Sequence, residues 1–348
     1  MFLSFKKVLS SITDSKLTFV FSKREDTSME DNKKWFKEAK FGLMIHWGLY
    51  ALPAGEWKGK RQPIGPEGVS EWLQYHYKIP CREYEKLAEA FNPIYFDAEE
   101  WVKLAEDAGM KYIVMTSKHH DGFAMYNSEA DNFNIVKKTP FKRDVIKELA
   151  DACKKHGMKF GLYYSQELDW HEEHGGGYAL KEGDEEAKSN VWDFPDDSKK
   201  DFSICLEKKI KPQLKEILTN YGELALIWFD MPHVITPEQS DELYDMVKKY
   251  QPNCLINSRI GNGKGDYRSC GDNEIPNESV GDELVEAPTT LNTTWGYKTF
   301  DNEWKDADKV REIKKHLNDR GINYLLNVGP DYLGRIPVMA QEILRKVK

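Results

Sequence analysis

Short apolar runs and helical stripes alternate along most of this chain. Residues 41–45 (FGLMI), 112–115, 160–164, 224–229, 254–256 and 324–328 are brief, nearly continuous apolar stretches. That is the pattern of strands buried on both faces. Between them lie amphipathic helices with recognisable ends. Trp101, Leu104, Ala105 and Ala108 form one stripe, with Asp97 as N-cap and Gly109 beyond the last turn. Asp144 opens a second helix with inner face Val145, Leu149, Ala152 and Cys153, and Gly157 stops it. Residues 204–221 predict a long helix that Pro212 should break or kink. Thr236, Pro237 and Gln239 read as N-cap, first-turn proline and capping-box partner. A helix over 307–318 and a short one after Pro337 end the series. Residues 289–297 read as a short strand and turn.

Strands alternating with capped helices imply βαβ units and a parallel sheet. About seven strands are visible, and the eighth is not evident. The expected fold is α/β, an irregular (β/α)8 barrel of the TIM type over residues 31–348. Residues 1–30 read as a poorly ordered or loosely docked extension. No glycine-rich nucleotide fingerprint follows the first strand, and no phosphate-binding P-loop occurs.

Composition narrows the function. A formal charge of −8 and the lack of any basic block argue against nucleic acid. No run approaches the ~18 apolar residues of a membrane span. The five cysteines are scattered, with no C-x-x-C pair, which suits reduced thiols in a cytoplasmic chain. The opening MFLSFKKVLSSI lacks the long apolar core and small-residue cleavage site of a signal peptide.

In a parallel barrel, chemistry sits where the strands end. Here those ends carry His46, His119, His120, Tyr164, Asp230 and Arg259, with loop carboxylates Glu71, Glu278, Glu283 and Glu286 nearby. Donors, carboxylates and large aromatics together suit a polyhydroxylated ligand. Three histidines and an aspartate could hold zinc. However, His119 and His120 are adjacent, and on a strand they would face opposite ways. No G-x-S-x-G elbow is present. Two carboxylates cleaving a sugar acetal need neither metal nor cofactor.

Several stretches, in order from Phe41 to Pro330, resemble glycoside hydrolase family 29, the α-L-fucosidases: HWGLYALPAGEW, KYIVMTSKHHDGFAMYNS, FGLYYSQELDW, LALIWFD, NTTWGYK and NYLLNVGP. The resemblance implies a retaining exo-α-L-fucosidase that works by double displacement on fucosylated oligosaccharides or glycoconjugates, without cofactor or metal. It makes Asp230 the nucleophile and Glu286 the acid/base, with Glu278 and Glu283 as fallbacks. His46, Glu71, Trp72, His119, His120, Tyr164, Arg259 and Trp295 match fucose-binding positions, and Trp295 offers an apolar wall to the sugar methyl group. The implied carboxyl separation is about 5–5.5 Å. The family usually continues into a C-terminal β-sandwich, for which this chain shows no match. A barrel flank left bare would favour homo-oligomers. A fucose-binding barrel without turnover, a transfucosylase and a metal-dependent hydrolase are the competing readings.

Overall fold

A computed structural model describes residues 28–179 and 186–348. Most of the expected N-terminal extension, residues 1–27, lies outside them, as do residues 180–185 of a glycine-rich, acidic insertion that spans residues 172–197. The eight barrel strands are β1 (Phe41–Ile45), β2 (Tyr112–Lys118), β3 (Lys159–Tyr164), β4 (Leu226–Phe229), β5 (Leu255–Ile256), β6 (Arg268–Ser269), β7 (Val285–Thr290) and β8 (Ile322–Val328). Every pairing is parallel, in the order β5-β4-β3-β2-β1-β8-β7-β6. A single parallel bridge, Asn257 to Tyr267, joins β5 to β6 and closes the ring.

The strand that the sequence hid is β6. Two residues are too few to show a period, and charged Arg268 opens it. β7 begins four residues earlier than expected and contains Glu286 and Pro288. No helix separates β5 from β6 or β6 from β7 among the described residues beyond one short turn at Ser258–Ile260. Here the barrel departs from the regular repeat.

Side chains alternate along each strand as a pleated backbone requires. Met44, Val114, Tyr163, Leu226, Trp228 and Leu325 pack together inside the barrel. Their neighbours Leu43, Ile113, Leu162, Tyr164, Ile227 and Leu326 pack outward against the helices. Gly42 is needed because the ring of Tyr112 crosses the interior. A Cβ there would stand 2.4 Å from it. The floor is closed by α1 (Met29–Ala39), which starts earlier than expected in a capping box between Ser28 and Asp31. Phe36 packs into the interior cluster from below.

Helices α2 (Ala98–Asp107), α3 (Val145–His156) and α5 (Pro237–Tyr250) start on the caps read from the sequence, at Asp97, Asp144 and Thr236. Between α3 and α5 runs α4, residues 202–220. It carries a wider turn over Leu206–Ile210 just before Pro212. That turn takes up the missing N–H and the bulk of the proline without ending the helix. Two more helices of eight residues or longer, α6 (Ala307–Asn318) and α7 (Val338–Arg345), lie later in the chain.

Candidate active site

The C-terminal ends of the strands open into a pocket of about 360 Å³. His46 follows β1, His119 and His120 follow β2, Asp230 follows β4, and Arg259 lies just past β5. Glu71 and Trp72 reach in from the long loop after β1, and Trp295 from the turn after β7. The pocket therefore gathers eight of the residues singled out in the sequence. A larger groove, about 1010 Å³, runs outside the barrel along α2 and α7 and holds none of them.

Asp230 sits at the centre of a hydrogen-bond cluster. Arg259 donates from Nη1 to its Oδ1 at 3.0 Å. The Tyr163 hydroxyl donates to its Oδ2 at 2.8 Å, and His120 Nε2 lies 3.8 Å from the same oxygen. Arg259 also donates from Nη2 to Asp272 Oδ1 at 2.5 Å. One guanidinium thus bridges two pocket carboxylates, a fork geometry that arginine provides and lysine does not. Its face rests on Trp228, with 4.6 Å between Cζ and the ring centre.

The histidines are held neutral. Burial pushes His46 down to about 4 and drives His119 and His120 well below their ordinary value. Each neutral imidazole offers one donor and one acceptor. His46 Nδ1 pairs with Asn327 and His120 Nδ1 with Ser165, both at 2.7 Å. His119 Nδ1 is buried with no hydrogen-bond partner. The two adjacent histidines do not split to opposite faces, because β2 ends at Lys118 and they lie in the turn beyond it. Their ring centres are 4.0 Å apart. Glu71 is buried, accepts the Gly296 N–H at 2.9 Å, and is pushed by burial up to about 7.

Four sequence-derived positions lie elsewhere. Tyr164 faces the helices, where its hydroxyl donates to Gln213. The inward residue is its neighbour Tyr163, because alternate strand residues face opposite sides. Glu286 is fully buried near the floor, second in β7 and paired in register with Asn323 of β8. It accepts from the Tyr112 hydroxyl at 2.6 Å and from Trp228 Nε1 at 3.0 Å. Trp228 lies between it and the pocket, and Glu286 does not line that pocket. Glu283 is tied to Arg268 on the surface, and exposed Glu278 is also outside the pocket.

Asp272, Tyr163, Trp228 and Lys188 escaped the sequence reading. Asp272 follows the two-residue β6, which had no visible pattern. Tyr163 was within reach of a register argument, since it pairs with Trp228, two residues before Asp230 on the same face. Among the described residues, the set with metal-ligand spacing is Asp131, His171 and Glu172, outside the pocket. Lys209 Nζ already stands among them, 2.7 Å from Asp131 and 3.2 Å from Glu172.

A closed parallel barrel whose mouth holds a bridged carboxylate pair, neutral histidines and tryptophans is the framework of a glycoside hydrolase. The chain belongs to the alpha-L-fucosidase family, whose model matches residues 11–348. It is similar to the solved structure of Lactobacillus casei alpha-L-fucosidase AlfC with its α-L-fucose product. Identity is 53%, coverage is 91% of this chain and 97% of that one, and the TM-score is 0.86. The alpha-L-fucosidase of a Vibrio species is 35% identical over 91% of this chain and 54% of its own, with a TM-score of 0.84. Human plasma alpha-L-fucosidase is 30% identical over 332 residues, 90% of this chain. The chain spans 66% of that relative's length. No described helix is long and apolar enough to cross a membrane.

Proposed function

We propose that this chain is a retaining exo-α-L-fucosidase with Asp230 as nucleophile and Asp272, rather than Glu286, as acid/base. The observation that carries the reading is the Arg259 guanidinium shared by two carboxylates that both line the pocket. Asp230 attacks the anomeric carbon while Asp272 gives its proton to the departing oxygen. Water, activated by Asp272, then releases the sugar from the Asp230 ester. The pair has one positive charge to divide. Before bond formation it is shared by both carboxylates. In the neutral ester it is free to stabilise Asp272 as the base.

His46, His119, His120 and Glu71 supply donors and acceptors for the fucose hydroxyls, and Trp72 and Trp295 supply apolar faces. Tyr163 takes the place assigned to Tyr164. The substrate class is supported by relatives. AlfC is solved with fucose, and an aspartate-to-alanine variant of it is solved with a 4-nitrophenyl fucoside and with Fucα(1,6)GlcNAc. The five unpaired thiols fit a cytoplasmic location.

The test is release of nitrophenol from 4-nitrophenyl α-L-fucoside, with proton NMR of the first sugar formed. The expected first product is α-L-fucose. Asp272→Ala should lose about 10²–10⁴-fold in turnover and recover with azide, giving α-fucosyl azide. β-Fucose as first product sinks the retaining mechanism. Full activity of Asp272→Ala moves the acid/base elsewhere.

A further inference from the structure

The segment that follows β3, Ser165-Gln166-Glu167, touches His120, Asp230 and Arg259 without lining the pocket. Gln166 accepts the Asp230 backbone N–H at 2.7 Å and donates to the Arg259 carbonyl at 2.9 Å. Glu167 is fully buried, and its carboxylate accepts four backbone N–H groups. Oε2 takes those of His233 (2.5 Å) and Ile235 (2.9 Å). Oε1 takes those of Val234 (2.7 Å) and Gly177 (3.1 Å). Three of these donors belong to the loop leaving Asp230, and the fourth to the glycine-rich insertion.

That insertion is fitted to Glu167. Gly176 N donates to the Glu167 carbonyl at 2.9 Å, and a Cβ on Gly176 would stand 2.2 Å from Glu167 Cγ. Gly177 turns with φ of +79°, the left-handed region that glycine adopts freely. Its carbonyl accepts the Lys188 N–H at 2.8 Å, and Lys188 lines the pocket. Lys188 comes from an excursion and not from a strand end. On the other side, Met231 holds a left-handed φ of 56° immediately after the nucleophile. A non-glycine residue keeps that conformation only when its surroundings impose it.

We propose that Glu167 is a positioning residue that ties the nucleophile loop, residues 231–235, to the glycine-rich insertion, so that Lys188 meets the leaving-group sugar in fixed relation to Asp230. An anionic acceptor is required, since a neutral amide would turn its NH2 toward donors. The proposal rests on the fucosidase reading for its substrate and on the hydrogen bonds for its mechanics, and the test separates the two.

Glu167→Gln, Glu167→Asp, Lys188→Ala and the double variant Glu167→Gln/Lys188→Ala are assayed on 4-nitrophenyl α-L-fucoside and on Fucα(1,6)GlcNAc, with thermal melts alongside. Glu167→Gln is expected to lower kcat about 10–100-fold, because small misplacements of reacting groups are costly. Glu167→Asp should lose less. Lys188→Ala should lose more kcat/KM on the disaccharide than on the aryl fucoside. In the double variant the losses on the disaccharide should be clearly less than multiplicative, the signature of coupled residues. Hydrogen exchange gives a readout independent of turnover. Amides of residues 176–178 and 233–235 should exchange faster together in Glu167→Gln, while those of β1 stay protected. Multiplicative losses, activity within twofold of wild type, or release of only one of the two segments would overturn the proposal. A silent wild type with the joint release intact would instead sink the fucosidase reading.

Discussion

The mouth and the floor of the barrel each hold a buried glutamate. Glu71 at the mouth and Glu286 at the floor are both pushed up to about 7, and burial is the main cause in both. Both accept hydrogen bonds from groups around them. They differ in what they can reach. Glu71 borders an open pocket, whereas Glu286 lies beneath the Trp228 indole. A perturbed titration therefore marks burial first and function only where a substrate can arrive. Asp230 and Asp272 owe their place in the proposed chemistry to position.

The largest effect expected is at the mouth. Asp230→Ala should lose roughly 10³-fold or more in turnover. Azide should restore it with β-fucosyl azide as the product, read by NMR. The matching change at the floor, Glu286→Ala, should act on stability. It leaves the Tyr112 hydroxyl and the Trp228 N–H without an acceptor, at about 1–3 kcal/mol each. Urea denaturation measures this. Azide rescue of Glu286→Ala with a fucosyl azide product would return the acid/base role to Glu286 and break the comparison.

A smaller effect separates the two faces of β3. Tyr163→Phe removes a hydrogen bond to a charged acceptor, worth about 1.5–3 kcal/mol, and should lower kcat/KM by roughly tenfold or more. Tyr164→Phe should leave kcat/KM within about twofold, since its hydroxyl meets only Gln213. Equal losses in both would mean that the register places neither at the nucleophile.

The last expected effect is the most gradual one, a slope in stability against pH. Each buried glutamate titrates at about 7 when folded and near 4.5 when unfolded. The folded state binds the extra proton in that window. Stability is therefore fully present below about 4.5 and falls as pH rises toward 7, by about 1.4 kcal/mol per pH unit per group. Glu286→Gln should remove one such contribution. Stability curves of wild type and Glu286→Gln that stay parallel between those pH values would show that Glu286 is ionised in the fold.

Much of this molecule was legible in the sequence, for reasons that particular residues make clear. The caps at Asp97, Asp144 and Thr236 are local chemistry, and the helices begin where they stand. The run from Leu224 to Phe229 announced a buried strand ending in Asp230, and that strand forms. Local pattern failed where the deciding fact was distant. β6 takes its pairing from β7 and has no pattern of its own, so Asp272 beyond it stayed hidden. Nothing within a few residues of Tyr163 or Tyr164 says which faces inward. Pairing with Trp228 across the sheet decides it. Glu286 matches a motif, but its depth depends on where β7 begins, four residues before the sequence pattern shows a strand.

The bridge between Asn257 and Tyr267 has a mechanical consequence. A hooped wall is only as firm as its shortest joint, and this one hangs on two strands of two residues each. Arg259 and Asp272 leave the wall on either side of that joint, while Asp230 leaves from a longer strand. Local opening there costs less than unfolding the ring. It would part the bridged carboxylates while β1, β2 and β8 stay intact. The working half of the pocket is thus the half that can loosen, and the fold that holds the sugar is not the part put at risk.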